Sequence, residues 1–194
     1  VLRMAWGDAG RVTAMDHQAA AGWPTAVMAP FFMMKGTNGV PYDPFSISGA
    51  DHWYTVGAQR VRALRNDLAE RTFRPGFLRS VGAGWTNWAL ESFIDEAALA
   101  AGVDPVEFRL RMLDGAGRNA GPSPSSVGGA HRQAAVLARV AQKAGWGKRL
   151  PRDVGLGIAT TFGQERAMPT WLACAARVRV DRSNGHVAVE KLTM

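Results

Sequence analysis

The amino-acid sequence predicts an α+β fold in which strand hairpins flank a helical hairpin and a third helix. Three observations carry this reading. Alternating apolar runs broken by turn residues occupy both ends of the chain, and runs with helical apolar spacing and capping signals occupy its middle. The two kinds of segment do not alternate as a repeating parallel βαβ sheet requires.

At the start, Val1 to Trp6 and Arg11 to Ala20 flank Gly7-Asp8-Ala9-Gly10, the pattern of a hairpin. From Gly22 to Trp53, Pro24, Pro30, Gly36, Asn38-Gly39, Pro41, Pro44 and Gly49 predict an irregular stretch. Its Met28, Phe31, Phe32, Met33, Met34 and Phe45 are too apolar for a solvated loop and predict packing against this domain or a neighbouring body. Val56 to Leu68 predicts a further strand.

After Arg74-Pro75-Gly76, the segment Phe77-Leu78-Arg79-Ser80-Val81-Gly82-Ala83-Gly84 predicts a loop feeding a helix near Trp85-Thr86-Asn87. Leu90, Phe93, Ile94, Ala97 and Ala101 then form one apolar stripe, and Gly102 stops it. Asp104-Pro105-Val106-Glu107 combines a capping residue, proline at the first helical position and Glu three residues after the cap, so a second helix should run to Met112 or Leu113. Gly115 to Gly129 is rich in Gly, Pro, Ser and Asn and reads as a loop. Beyond it, Ala134, Leu137, Val140, Ala141 and Ala144 predict a third helix, over His131 to Ala144, ended by Gly145. Strands follow over Gly155 to Phe162, Ala173 to Asp181 and His186 to Leu192, the last two joined at Asn184-Gly185, a two-residue hairpin signal. The expected organisation is therefore residues 1–114, a boundary loop over 115–129, and 130–194 as a second subdomain. Length is compatible with one domain or two small ones.

Composition excludes several classes. With 47% hydrophobic and 20% charged residues the chain is globular rather than disordered. Its longest apolar run, Ala26 to Met34, has nine residues and is broken by Pro30, too short for a membrane span. The net charge of +7 comes from 19 Arg among 23 basic residues, scattered without a basic run, which reads as a solvated surface rather than a nucleic-acid footprint. The lone Cys174 allows no internal disulfide and reads as a buried small hydrophobe. The four histidines stand apart, in no metal-ligand spacing, and no G-x-S-x-G elbow is present. Glu91 and Asp95, four apart, read as a solvated helix face more simply than as an acid–base couple. The opening at Val1 without Met, and the strand pattern that continues to Met194, predict an internal piece of a longer polypeptide.

One segment points to chemistry. Glycines allow close backbone approach, the first N–H groups of a helix lack internal partners, and an arginine fork favours oxyanions, so Gly76 to Gly84 suits an anionic ligand. A plain Gly-rich helix entry fits these residues equally well. Read from the residues alone, the chain could serve as a basic anion- or nucleic-acid-binding module or as a non-catalytic structural domain.

The ordered set Pro75-Gly76-Phe77-Leu78-Arg79-Ser80-Val81-Gly82, Asn87, Glu91 to Ala97 and Ala101 to Arg111 resembles the molybdopterin-binding large subunit of the xanthine dehydrogenase family. Within it the isoquinoline 1-oxidoreductase β-subunit and aldehyde dehydrogenase branch is most similar, and Gly145-Trp146, Gly155 to Ala159 and Val178 to Val187 extend the resemblance in the same order. It implies a piece of the molybdenum-cofactor-binding domain, with Leu78, Arg79, Ser80 and Gly82 at the cofactor and Val81 in the substrate pocket, where xanthine dehydrogenases carry an aromatic that stacks on a purine. It further implies hydroxylation of N-heterocycles or aldehydes with water-derived oxygen, and a general-base glutamate outside these residues, so that the piece alone holds no catalytic residue and is inactive. The implied cofactor is a molybdenum-pterin in its cytosine dinucleotide form. The implied partners are the rest of the large subunit, a small iron–sulfur subunit and, in many members, a cytochrome. A periplasmic or membrane-associated setting follows from the resemblance, with the cytoplasm left open.

Overall fold

The computed structural model describes residues 1–50, 52–73, 76–116, 129–165 and 168–194. Among them stand five α-helices and three small sheets, a mixed α+β architecture. They divide into two compact units, one from residues 1–52 and 56–93 and one from residues 53–55, 94–116 and 129–194.

In the first unit, β1 (Leu2–Trp6) and β2 (Val12–Ala21) form the expected antiparallel hairpin. Three further strands follow β2 in this unit, and the last of them, β5 (Ala58–Arg65), lies on the other side of β2 and runs parallel to it, giving the order β1-β2-β5. Parallel neighbours need a long crossover, and the irregular stretch after β2 provides it. That stretch contains the short helix α1 (Pro24–Met28) and a minimal hairpin of β3 (Met34–Lys35) with β4 (Pro41–Tyr42). The strand expected within Val56 to Leu68 is β5, which stops at Arg65, and a helix, α2 (Asp67–Phe73), begins two residues later. Asn66 Oδ1 accepts from the Ala69 N–H, so the asparagine caps the new helix rather than prolonging the strand.

Alternation along β2 sorts the sheet's faces. Met15, His17 and Ala19 are buried, and Ala19 packs with Ile47 and Ala50 against Tyr42, Val61 and Ala63. On the opposite face Arg3, Asp16 and Arg60 stand in cross-strand register, and the two Asp16 oxygens accept from Arg60 Nε and Nη2, each at 3.0 Å. These bonds, with a further one from Gln18, hold the Asp16 carboxyl well below the usual carboxylate range.

Deeper in the unit, Asp43 is fully buried yet satisfied. Its carboxylate accepts from the Thr25 N–H at 3.0 Å, the Thr25 hydroxyl at 2.6 Å and the Phe45 N–H at 2.9 Å, which ties α1 to the 3-10 turn Pro44–Ser46.

α3 (Ala83–Ala100) starts two residues before the expected point, and Gly102 takes the left-handed conformation after it. Leu90, Ile94 and Ala97 of the predicted stripe are buried. Glu91 and Asp95 are not a solvated pair: Glu91 is 4% exposed, and Asp95 accepts at 2.7 Å from Arg109, whose side chain is wholly buried. Helical spacing locates a stripe but not its width, and here burial extends beyond it.

In the second unit, α4 (Pro105–Met112) begins as predicted, with Asp104 Oδ1 accepting from Val106 N–H and Glu107 N–H. Trp146 Nε1 donates to the other oxygen of that cap at 2.8 Å. α5 (Gly129–Ala144) places Gln133, Leu137, Val140 and Ala141 inward and ends at Gly145 in the left-handed region. It packs on the antiparallel sheet β6 (Val154–Glu165), β7 (Met168–Val180), β8 (Val187–Thr193), whose Ile158, Thr160, Ala173 and Ala175 are buried. Gly129 sits where a Cβ would strike the Trp53 ring, and that ring meets Phe162 edge-on at 5.7 Å. Cys174, on β7, is half-buried rather than buried. The β7–β8 hairpin forms, but through a four-residue turn over 182–185 rather than a two-residue one: Asp181 N–H donates to His186 O, and Asp181 draws in Ser183 and Asn184 through its carboxylate. Most of the expected boundary loop, 117–128, lies outside the described residues.

Candidate functional site

The segment singled out by sequence forms a turn over Arg79–Gly82 that leads directly into α3. Gly82 is its buried anchor. The Gly82 N–H donates to Phe45 O at 3.1 Å, and a Cβ at Gly82 would lie on that same carbonyl oxygen, so a side chain cannot be placed there without moving one of the two segments. Gly82 O in turn accepts from Trp85 N–H at 3.2 Å and Thr86 N–H at 2.9 Å, closing the first turn of the helix. The Thr86 hydroxyl lies 2.8 Å from Gly82 O and also beside Ser48 O, its single proton serving one acceptor at a time. Gly49, at φ +90, fits closely against Ala83 and Thr86. Two segments distant in sequence, 45–49 and 82–86, thereby fix one loop.

The residues between these anchors face outward. Leu78 is 83% exposed, Arg79 and Ser80 are exposed, and Val81 is 37% exposed. Ser80 and Val81 both adopt positive φ, 68° and 44°. Two consecutive non-glycine residues in the left-handed region, one of them β-branched, are costly, and strain of this kind is retained where surrounding structure over-determines it. Val81 N–H donates to Leu78 O at 2.9 Å, closing the turn. Sequence reasoning located this loop but carried no signal for its backbone conformation, because neither residue is one that favours φ above zero.

The loop fits an anionic group. Arg79 contributes a guanidinium and Ser80 a hydroxyl, and Gly84 in the first helical turn leaves its backbone open, a Cβ there meeting only Ser80 Cβ at 3.7 Å. At Gly76 a Cβ would meet nothing within 4 Å. Next to the loop stands a run of aromatic rings: Phe31 meets Phe32 at 4.4 Å, Phe32 meets Phe45 at 5.9 Å, and Phe45 meets Phe77 at 5.6 Å. Among the apolar residues expected to be covered, Met33 and Phe45 are half-buried, while Phe31 is 79%, Met28 59% and Phe32 52% exposed. Among the described residues no group of three His, Cys, Asp or Glu side chains could hold a metal, and no helix is long and apolar enough to cross a membrane.

Comparison with known proteins gives the class. The chain is 62% identical over all its 194 residues to a protein named membrane-bound aldehyde dehydrogenase (pyrroloquinoline-quinone) from Gluconacetobacter polyoxogenes. It is 28% identical over 183 residues to the β-subunit of isoquinoline 1-oxidoreductase from Brevundimonas diminuta, and 31% identical over 149 residues to the B-subunit of nicotinate dehydrogenase from Pseudomonas putida. These matches cover 100%, 94% and 70% of this chain, but 25%, 21% and 11% of the relatives. No protein-family profile matches the chain. The class these relatives share is that of oxidoreductase subunits, and the full length of this α+β chain aligns with part of one of them. Along most of its length the chain is thus similar to one segment of the aldehyde dehydrogenase, isoquinoline 1-oxidoreductase β and nicotinate dehydrogenase B subunits, and it spans a quarter or less of the length of these relatives.

Proposed function

We propose that, within the full-length subunit, this chain forms one wall of a molybdenum-pterin site in an enzyme that oxidises aldehydes or N-heterocycles with oxygen drawn from water. Leu78, Arg79 and Ser80 would line the cofactor side of that wall, with the buried Gly82 holding the loop from beneath, and Val81 would face the substrate pocket. The observation that carries this reading is the loop itself: two left-handed non-glycine residues, clamped between a Gly82–Phe45 hydrogen bond and the first turn of α3, present Arg79 and Ser80 outward. The Arg79 guanidinium and the Ser80 hydroxyl would hold anionic oxygens of the cofactor, and the N-terminus of α3 would add its positive end. A molybdenum-pterin group supplies two-electron oxidation of an electrophilic carbon when bound. Val81, small and aliphatic, leaves the pocket without a stacking ring, which suits an aldehyde better than a purine.

The general base lies outside these residues, so the chain alone is inactive. Iron–sulfur clusters on a small partner subunit would take up the electrons, and the cofactor would be the cytosine dinucleotide form. The organisation into residues 1–114, 115–129 and 130–194 belongs to the same proposal.

A second reading rests on the Gluconacetobacter relative, whose name specifies pyrroloquinoline quinone. That quinone is also anionic, so the same exposed Arg79 would receive one of its carboxylates. Acid extraction of the purified full-length enzyme, with chromatography for a pterin dinucleotide and for the quinone, separates the two. The first reading predicts the pterin without the quinone.

A further inference from the structure

We infer that the exposed apolar surface beside the candidate loop is an interface with the remainder of the same polypeptide in the full-length subunit. Val27, Met28, Phe31, Phe32, Phe77 and Leu78 are between 41% and 83% exposed. They are not scattered. Phe31, Phe32, Phe45 and Phe77 contact one another in series, and Leu78 follows Phe77 directly into the loop. Contiguous exposed apolar residues of this kind mark an interaction surface rather than ordinary solvated surface.

The identity of its occupant is argued from length and rigidity. The chain spans 25% of its 62%-identical relative, so about three-quarters of that protein's length lies elsewhere and is available to cover the patch. The patch is also held in a fixed shape. Phe45 N–H donates to the buried Asp43 carboxylate, and Phe45 O accepts from Gly82, so the central ring is tied at both backbone groups. Interdigitated rings at set angles of 46°, 80° and 73° suit a packed protein partner, whereas an interfacial lipid contact is usually made by an amphipathic helix with a basic flank. α1, at five residues, is too short to form one. The inference rests on the reading that the chain is part of a larger subunit. It adds that the outer side of the candidate loop is closed by that same polypeptide rather than by lipid, a second copy or another protein.

Site-specific photocross-linking in the full-length holoenzyme tests this, with Phe31→p-benzoylphenylalanine and, separately, Leu78→p-benzoylphenylalanine, followed by gel mobility and peptide mass spectrometry. The expected result is an unchanged gel position and cross-linked peptides from the same polypeptide outside residues 1–194. Adducts with lipid, a shift to twice the subunit mass, peptides from a different subunit, or no cross-link at either position would overturn it. Molybdenum content is read separately in the unsubstituted wild-type holoenzyme: its absence would defeat the proposed cofactor while leaving an intramolecular cross-link meaningful.

Discussion

The Gly82 N–H donates to the Phe45 carbonyl at 3.1 Å, and this one bond joins the crossover segment to the entry of α3. Because a Cβ at position 82 would occupy the space of the same carbonyl oxygen, Gly82→Ala should separate the two segments. Overpacking of this kind costs on the order of 1–3 kcal/mol. Hydrogen exchange in the full-length protein should then show faster exchange of the Trp85 and Thr86 amides and a lowered molybdenum content. Unchanged exchange at both amides would show that the contact does not hold the loop.

Val81 holds its position at a cost in backbone strain. A left-handed L-residue with a side chain costs roughly 1–2 kcal/mol, and glycine removes that cost while adding roughly 0.5–1 kcal/mol of unfolded-state freedom. Val81→Gly should therefore leave stability unchanged or raise it by up to ~1.5 kcal/mol, while loosening the loop that Ser80 and Val81 shape. The expected signature is an unchanged or raised melting temperature together with a raised KM for aldehyde. A lowered melting temperature would contradict the strain argument.

Asp43 accepts three hydrogen bonds in a fully buried setting, from Thr25 twice and from Phe45. Asp43→Ala leaves those donors without an acceptor, at a cost of about 3 kcal/mol. Asp43→Asn retains one acceptor oxygen and should cost less. Thermal melting of both variants beside wild type checks the order.

His17 gives a pH dependence with a defined sign. Burial lowers its pKa from 6.5 to about 4, so the folded state keeps the neutral imidazole. Between pH 6.5 and pH 4 the unfolded chain binds a proton that the folded one does not, and stability falls as pH falls through that window. It is fully present above pH 6.5 and levels off below pH 4. The loss is about 3 kcal/mol at the bottom of the window. Melting temperatures of wild type and His17→Gln over this range should converge as pH is lowered, and parallel curves would contradict the assignment.

Local signals were the legible part of this chain. Asp104 as a cap, Gly102 and Gly145 as helix stops, and the hairpin of β1 with β2 depend on residues near one another in sequence, and each is found where expected. What depends on distant partners was not legible. The parallel pairing of β5 with β2 has no pattern of its own, since alternation does not report strand direction. The burial of Glu91 and the pairing of Asp95 with Arg109 come from neighbours that helical spacing does not reveal. For the candidate site the order Phe77 to Gly84 was readable as an anion-suited loop, whereas its clamp by Phe45 and Ser48 required residues more than thirty positions away to be brought alongside.

The most direct measurement of the central claim is the molybdenum content of the purified full-length protein, read with plasma mass spectrometry for wild type and Arg79→Ala side by side. Molybdenum stoichiometric with protein in the wild type, and lowered in Arg79→Ala without a change in melting temperature, is the predicted result. A wild-type enzyme that is active and free of molybdenum would contradict it.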